Sequence, residues 1–469
     1  MGRLLDNMPE DRRFSGSTGK PKIGFYLENG LIPHADLRFP ERGNPGIGGS
    51  EFGLVALPFF LSLNYEDFDL VIYANITGYL PDRLRSLQTD DSVIAAHSAI
   101  RDNCQILFVR LCDAVLTPEF IRTISGSDLK VIVWAQNNPN STQMQRIASC
   151  TNISRLVCVG HEELDLLRDH PVFYKTTCIF NGIHPPTYAP DRHVVKTGTT
   201  VVYMGSLVRE KGFHILAEAW PQVKKRIRGA RLRVIGSGKV YNENALLGRW
   251  GVAAEDYERQ FRPFLSDVEG NPDSSVEFLG SLGAEKVSVL QQADIGVVNP
   301  NLNPYDGTET FCWSAVEFEA CGTPVISAAE DGLLDTVLHR QTGLLIHNER
   351  GLSKYIVQLL EDKELREQYG HNAMEFVRSE FDYRKICSQW QRVFYDVLND
   401  RPNTIFPMKP NIFYNYKYLR EFMRRAKHRM PRLRGIPAIL EIREIGKRKF
   451  LLRTVSAIIS GNCKASESG

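Results

Sequence analysis

No apolar run in the 469-residue sequence approaches the ~18 residues that a membrane-spanning helix needs. The longest, Leu54 to Leu63, is about half that length and contains Pro58. The N-terminal stretch MGRLLDNMPEDRRFSGSTGK mixes both charge signs and has no apolar h-region, which argues against a secretory signal. None of the nine cysteines forms a CxxC pair, and their number is odd. A disulfide framework or a zinc site is therefore not expected, and all nine read as reduced cytoplasmic thiols. Cys158 and Cys178 lie inside apolar runs, where a thiol behaves as a small buried hydrophobe. Low complexity is lacking too: with 43% hydrophobic and 24% charged residues the chain is neither disordered nor fibrous. Net charge is small, +2, but unevenly spread. Residues 401–469 hold 16 Lys/Arg against 4 Asp/Glu, a net +12, which leaves 41 against 51, a net −10, on the other 400. A basic tail on a mildly acidic body points to an anionic partner for the tail.

What is present is organised by buried strands. KIGFYL (22–27), FDLVIYA (68–74), QILFVRL (105–111), KVIVWA (130–135), RLVCVG (155–160) and KTTCIF (175–180) alternate with polar or helix-compatible stretches. Continuous apolar runs with such spacers predict a parallel sheet covered on both faces. NGIHPPTYAPDR (181–192) reads as a linker. The pattern then restarts with TTVVYMGSL (199–207), RLRVIGSG (231–238), SVEFLGSL (275–282), ADIGVVNP (293–300), TPVISA (323–328) and TGLLIH (342–347). The expected architecture is α/β, with two doubly wound, Rossmann-like domains at 21–186 and 195–385 facing a cleft. Ligands in such sheets bind at the carboxyl ends of the strands. Segment 386–398 puts Ile386, Trp390, Val393, Phe394, Val397 and Leu398 on one helical face, and a helix over 386–400 is expected to close the second domain. Residues 241–274 look like an insertion.

Three constellations carry chemistry. In NPGIGGSEFGLVAL (44–57) glycines lead into a helix, so Gly46, Gly48 and Gly49 allow close approach to unpaired N–H groups at a positive dipole end, a phosphate-binding arrangement. Taken alone it reads equally as a Gly-rich loop with Ser50 as N-cap. In SLVREKGF (206–213) Arg209 and Lys211 sit where a strand end meets a helix, either as cations for a diphosphate or as a solvated basic turn. In GTETFCWSAVEFEACGTPVIS (307–327) a helix over 311–320 places Glu309 in the preceding loop and Glu317 about two turns in. Glu317 and Glu319 could mark a solvated face, but the helix is largely apolar, so a carboxylate at 317 needs a ligand or partner.

Glu309 and Glu317 match an EX7E motif, and this string resembles that of the retaining GT-B glycosyltransferases of family 4. The resemblance extends to GGSE (48–51), FNGI (180–183), MGSLVREKGF (204–213), VEFLGSL (276–282) and ADIGVVNP (293–300), and so covers residues 22–398. It implies that Glu317 accepts hydrogen bonds from the ribose hydroxyls of a nucleotide-sugar. Glu309 would hold the transferred sugar, with backbone N–H groups around Phe311 and Cys312 beside it. Lys211 and the amides of Gly48 and Gly49 would meet the diphosphate, and the base would lie against Leu279–Leu282. Two positions depart from the pattern. Ser206 stands where the family usually has Arg, and Arg209 is the substitute cation. Gln136, Asn137 and Asn138 stand where the family often has His. These amides can bond sugar hydroxyls but cannot transfer a proton near neutral pH. Asn137 is the expected acceptor-side catalytic residue, with the donor phosphate taking the acceptor proton. His34, His97 and His161 read as structural.

The resemblance thus implies a hexosyltransferase-like retaining enzyme that moves a sugar from a nucleotide-sugar to a glycan or lipid-linked acceptor in surface polysaccharide or lipopolysaccharide assembly, with no metal and no other cofactor. A catalytically weak GT-B subunit and a GT-B epimerase or phosphorylase are the alternatives. In the basic helical extension, YNYKYLREFMRRAKHRM (414–430) puts Leu419, Phe422, Met423, Ala426 and Met430 on one face, surrounded by Lys417, Arg420, Arg424, Arg425, Lys427 and Arg429. Such a helix suits an anionic membrane surface, so the expected location is cytoplasmic and peripheral on the inner face. A helix packed on the body is the other reading. GKRKFLLRTVSAIIS (446–460) repeats the theme, and no nucleic-acid module accompanies the charge.

Overall fold

The structure, a computed structural model, describes residues 19–191, 193–239, 245–303 and 309–403, and 417–430, 433, 436–439 and 441–442 of the tail. The first sheet contains β1 (Lys22–Leu27), β2 (Asp69–Ala74), β3 (Arg85–Gln88), β4 (Ile106–Arg110), β5 (Lys130–Ala135), β6 (Ile153–Cys158) and β7 (Thr176–Cys178). Its order is β3-β2-β1-β4-β5-β6-β7, parallel throughout. The second contains β8 (Thr200–Met204), β9 (Arg231–Ile235), β10 (Val276–Gly280), β11 (Ile295–Val297), β12 (Val325–Ala328) and β13 (Gly343–Ile346). Its order is β10-β9-β8-β11-β12-β13, also parallel. Two Rossmann-like domains in this arrangement make a GT-B fold.

The strands are apolar throughout because both of their faces are covered. Along β5, Val131, Val133 and Ala135 enter one core, whereas Ile132 and Trp134 enter another on the opposite face. β3 was not expected. Its sequence, RSLQ, is short, polar and half exposed, so it carries no hydrophobic signal and is held by pairing with β2 at the sheet edge.

Helix Tyr383–Leu398 forms as its pattern predicts, with Asp382 capping its start and Ile386, Trp390, Phe394, Val397 and Leu398 buried. Its destination differs from the expectation. Instead of closing the second domain, it returns to the first. Trp390 packs edge-on against Phe108 at 5.0 Å, and Phe394 meets Phe68 at 5.6 Å and Phe25 at 6.3 Å. Lys130 Nζ donates to the carbonyls of Val397 and Leu398, a cation at the helix C-terminus. The reason is supply of surface: the first sheet presents Phe25, Phe108 and Trp134 on a face that an aromatic helix must cover.

The 241–274 insertion is folded over its described part. Helix Glu255–Leu265 places Phe261 5.0 Å from Phe213 and 6.2 Å from Trp250, inside the second domain's core. In the tail, helix Lys417–Arg429 docks on the first domain. Arg420 is fully buried and donates to Asp165 at 2.8 Å, and Lys427 donates to the Asp169 carbonyl at 2.9 Å. Two of the basic residues thus face inward, while Leu419, Phe422 and Met430 are exposed and Ala426 is buried. Segment 446–460 lies outside the described residues.

Truncating Trp390 would empty an aromatic cluster that joins a C-terminal helix to the first sheet. Trp390→Ala is expected to destabilise the protein by about 3–5 kcal/mol, read as a lower denaturant midpoint. A midpoint unchanged from wild type would refute that packing role.

Candidate active site

Each sheet reverses its strand order once, between β1 and β4 and between β8 and β11, and such switch points open a crevice at the strand ends. A cavity of about 210 Å³ occupies the crevice of the second sheet and is roofed by the first domain. Met204, Gly205 and Ser206 after β8 and Val298 and Asn299 after β11 form its floor. Gly46, Gly48 and Gly49 come from the first domain, at the start of helix Gly49–Asn64, whose N-cap is Gly48 rather than Ser50. Gly46 has a φ of +96°, and a Cβ there would stand 3.0 Å from the Leu282 carbonyl oxygen.

Among the described residues four charged side chains line this cavity: Lys211, Lys286, Glu309 and Glu317. Lys211 Nζ donates to Glu309 Oε2 at 2.5 Å, and Asn299 Nδ2 reaches the same oxygen at 3.5 Å. Glu317 sits just over one turn into helix Trp313–Ala320, nearer its start than the sequence suggested, because the helix begins at 313 rather than 311. Its Oε1 accepts from Tyr188 Oη and from Lys286 Nζ, both at 2.8 Å. The solvated-face alternative therefore fails. Glu319 is also fully buried, and burial pushes its carboxyl well above the usual range. Cys312 is the N-cap of that helix and is buried beside Phe311, and burial likewise pushes its thiol up.

Of the residues singled out from sequence, Gly48, Gly49, Lys211, Glu309, Phe311, Cys312 and Glu317 line the cavity, with Ser206. Arg209 does not: it is exposed and donates to Gln260 Oε1 at 2.6 Å. It lies in a turn of 3-10 helix, Arg209–Lys211, which does not bring both cations to the cavity wall. Leu279 is half-buried among core residues, and Ser281 and Leu282 form the wall instead. Asn137 is exposed after β5, outside the cavity, while its neighbour Gln136 is buried in a reciprocal amide pair with Asn181.

Sequence reasoning missed Tyr188, Lys286 and Trp313. Tyr188 lies in the linker segment Pro185–Tyr188, and Trp313 donates its indole N–H to the Gly182 carbonyl at 3.1 Å. Their roles depend on contacts far apart in sequence; only the aromatic residue inside the linker hinted at one. A second unanticipated group sits at the first sheet's switch point. Arg110, the last residue of β4, bonds Glu51 at 2.5 Å and Glu28, after β1, at 3.4 Å.

Residues 188–376 match the model of the glycosyl transferases group 1. That match spans most of the second domain, which is therefore similar to this family. The chain is 36% identical over 97 residues to N-acetyl-alpha-D-glucosaminyl L-malate synthase of Bacillus anthracis, covering 20% of this chain and 26% of that protein. Across curated relatives it spans from about a quarter to about two thirds of their length. Sucrose-phosphate synthase from Thermosynechococcus elongatus superposes with a TM-score of 0.63 at 18% identity, over 81% of this chain and all of that one. Anabaena HepE in complex with UDP gives 0.59 at 15%, over 80% and 99%. At those identities the two structures establish the shared fold alone.

The second domain is fastened to the first beside this cavity. Thr310 Oγ1 donates to the Gln136 carbonyl at 2.6 Å, and His161 Nδ1 pairs with Asp335 at 2.8 Å. Next to His161, burial, reinforced by Asp331, pushes Glu162 and Glu163 up to about 8. A carboxyl whose folded value is raised holds a proton that the unfolded chain has released, so stability falls as pH climbs from the ordinary carboxylate range to about 8. Glu163→Gln should therefore raise the denaturation midpoint relative to wild type at pH 8 and change it little at pH 5. An equal shift at both values would show that ionisation is not the cause.

Proposed function

We propose that the protein is a retaining glycosyltransferase of family 4 that moves a hexose from a nucleotide-sugar to a glycan or lipid-linked acceptor in surface polysaccharide or lipopolysaccharide assembly. The observation that carries this is one cavity in which Lys211, Glu309 and Glu317 meet the helix N-terminus at Gly48 and Gly49 across the cleft. HepE, of the same fold, holds UDP, which supports a nucleotide donor. The domains are taken as 21–186 and 195–385, followed by the helix of 386–400 and the extension 401–469.

In this reading Glu317 receives the ribose, Ser281 and Leu282 flank the base, and the amides of Gly48 and Gly49 face the diphosphate with Lys211. Glu309 and the N–H groups around Phe311 and Cys312 hold the sugar. Arg209 contributes from outside the cavity, by long-range charge. Lys211 and Glu309 neutralise each other before the donor arrives. The diphosphate then draws the ammonium, and the freed carboxylate takes sugar hydroxyls. The bond from the sugar's anomeric carbon to phosphate breaks and a bond to the acceptor oxygen forms on the same face. The acceptor proton passes to the leaving phosphate. Catalysis is positioning together with stabilised charge on that leaving group. The acceptor lies on the first domain's strand ends, near Asn137.

Lys211→Ala is expected to weaken nucleoside diphosphate binding by about 1.5–3 kcal/mol while leaving the free nucleoside nearly unaffected, by calorimetry. Equal losses for both ligands would refute the diphosphate role. Glu309→Gln should spare nucleotide affinity and depress turnover, and near-normal transfer by that variant would remove Glu309 from sugar binding.

The tail is proposed to bring the enzyme to an anionic membrane, on the cytoplasmic side. Among the described residues no helix is long and apolar enough to cross one. Leu419, Phe422 and Met430 are 48%, 65% and 51% exposed, next to exposed Arg425 and Arg429. Replacing Leu419 and Phe422 together by Glu should abolish co-sedimentation with anionic vesicles without lowering stability. Retained sedimentation would rule out that face.

A further inference from the structure

Among the described residues, Lys286 is the one cavity-lining cation for which the family resemblance offers no role. It opens helix Lys286–Gln292, which follows the β10 turn, and it is 6% exposed. Among the described residues its ammonium bonds Glu317 Oε1 alone, an oxygen that Tyr188 Oη also reaches. Both donors occupy the same oxygen, so Oε2 of this carboxylate is left for a ligand. The ammonium and the carboxylate belong to the same cavity wall, so a ligand that meets one meets the other.

A pair of this kind is a poor device for stability alone. Two buried charges cost desolvation that a well-packed apolar pair of the same volume avoids. At a ligand site it has a use: it presents an acceptor and a donor side by side. A vicinal diol needs that combination, because each hydroxyl both donates and accepts. A lone carboxylate can only accept.

We infer that Lys286 is a specificity residue of the donor site, which together with Glu317 reads the 2′,3′-diol of a ribonucleotide, Glu317 accepting from the hydroxyls and Lys286 donating to one of them. Tyr188 acts through Glu317, as a positioning residue: it reaches from the interdomain linker to fix the carboxylate. The inference rests on the nucleotide-donor reading given above. It commits the enzyme to ribonucleoside diphosphate donors and excludes deoxyribonucleotide ones. A site that reads hydroxyls by hydrogen bonds rejects the analogue lacking one, because its own buried groups are then left unpaired.

The test measures dissociation constants for uridine, guanosine and adenosine diphosphates and, for the tightest of them, its 2′-deoxy and 3′-deoxy counterparts. Wild type should prefer the ribonucleotide by at least about tenfold over one of the two deoxy forms. Lys286→Met should cut that preference to about threefold or less, and Lys286→Arg should keep most of it. If Lys286→Met fails to fold because Glu317 loses its counter-charge, Glu317→Gln is compared with Lys286→Met/Glu317→Gln, in which both charges are gone. The single variant should retain part of the preference and the double none. An unchanged preference in a folded Lys286→Met protein, or equal preferences in the last two variants, would overturn the role of Lys286 and leave the donor site standing. Failure of wild type to bind any of the three diphosphates would overturn both.

Discussion

A Cβ at Gly49 would stand 2.3 Å from the Trp313 ring, so the two domains meet at this distance only through a residue without a side chain. This contact sets the rest of the cleft. It brings the N-terminus of helix Gly49–Asn64, with its unpaired N–H groups, onto a cavity otherwise built by the second sheet. Trp313 in turn is held by the Gly182 carbonyl at the entrance to the linker, and six residues later Tyr188 reaches Glu317. The linker is therefore part of the site and not only a tether between domains. Thr310 and His161 complete the fastening on the far side.

Among the described residues the cavity's charges balance: two lysines, two glutamates. Each carboxylate has an ammonium within 2.8 Å, as buried charge requires. Elsewhere the balance is incomplete. Glu162 and Glu163 lie among Asp331 and Asp335, and burial keeps them protonated towards neutral pH. The contrast is one of local cations: neither carboxyl forms an ion pair among the described residues, whereas Glu309 and Glu317 do.

Much of this was legible in the sequence because parallel strands covered on both faces are written as unbroken apolar runs. The edge strand Arg85–Gln88 escaped because it buries little. The helix of Trp390 and Phe394 was visible as a helix, but an apolar stripe states that a face is buried and not against what. Glu309, Glu317 and Lys211 could be picked out because each lies in a local string that resembles a family motif, although Lys211 and its partner Glu309 are 98 residues apart. Lys286 could not, because the resemblance gives its position no role and only the fold brings it to Glu317 on another helix. Arg209 and Lys211 are two residues apart, yet only Lys211 lines the cavity, because the tight turn that holds them separates their side chains.

The tail shows the same limit in its sharpest form. Its composition reads as a uniformly basic helix around an apolar stripe, which would bury the stripe or give it to a membrane. The structure divides the cations. Arg420 enters a fully buried pair with Asp165, to which Arg168 also donates, and Lys427 lies 3.8 Å from Asp169, while Tyr418, Leu419 and Phe422 stay outside. Docking by charge is what frees the apolar face. Removing the tail would leave Asp165 and Asp169 without these cations in a buried setting, and breaking such pairs from one side is costly. The helix that carries Asp165 begins at His161, whose backbone N–H and ring both bond Asp335 of the second domain. The tail is thus built into the segment that closes the cleft. Substitutions on its outer face, and not truncation, are what separate surface binding from the integrity of the site.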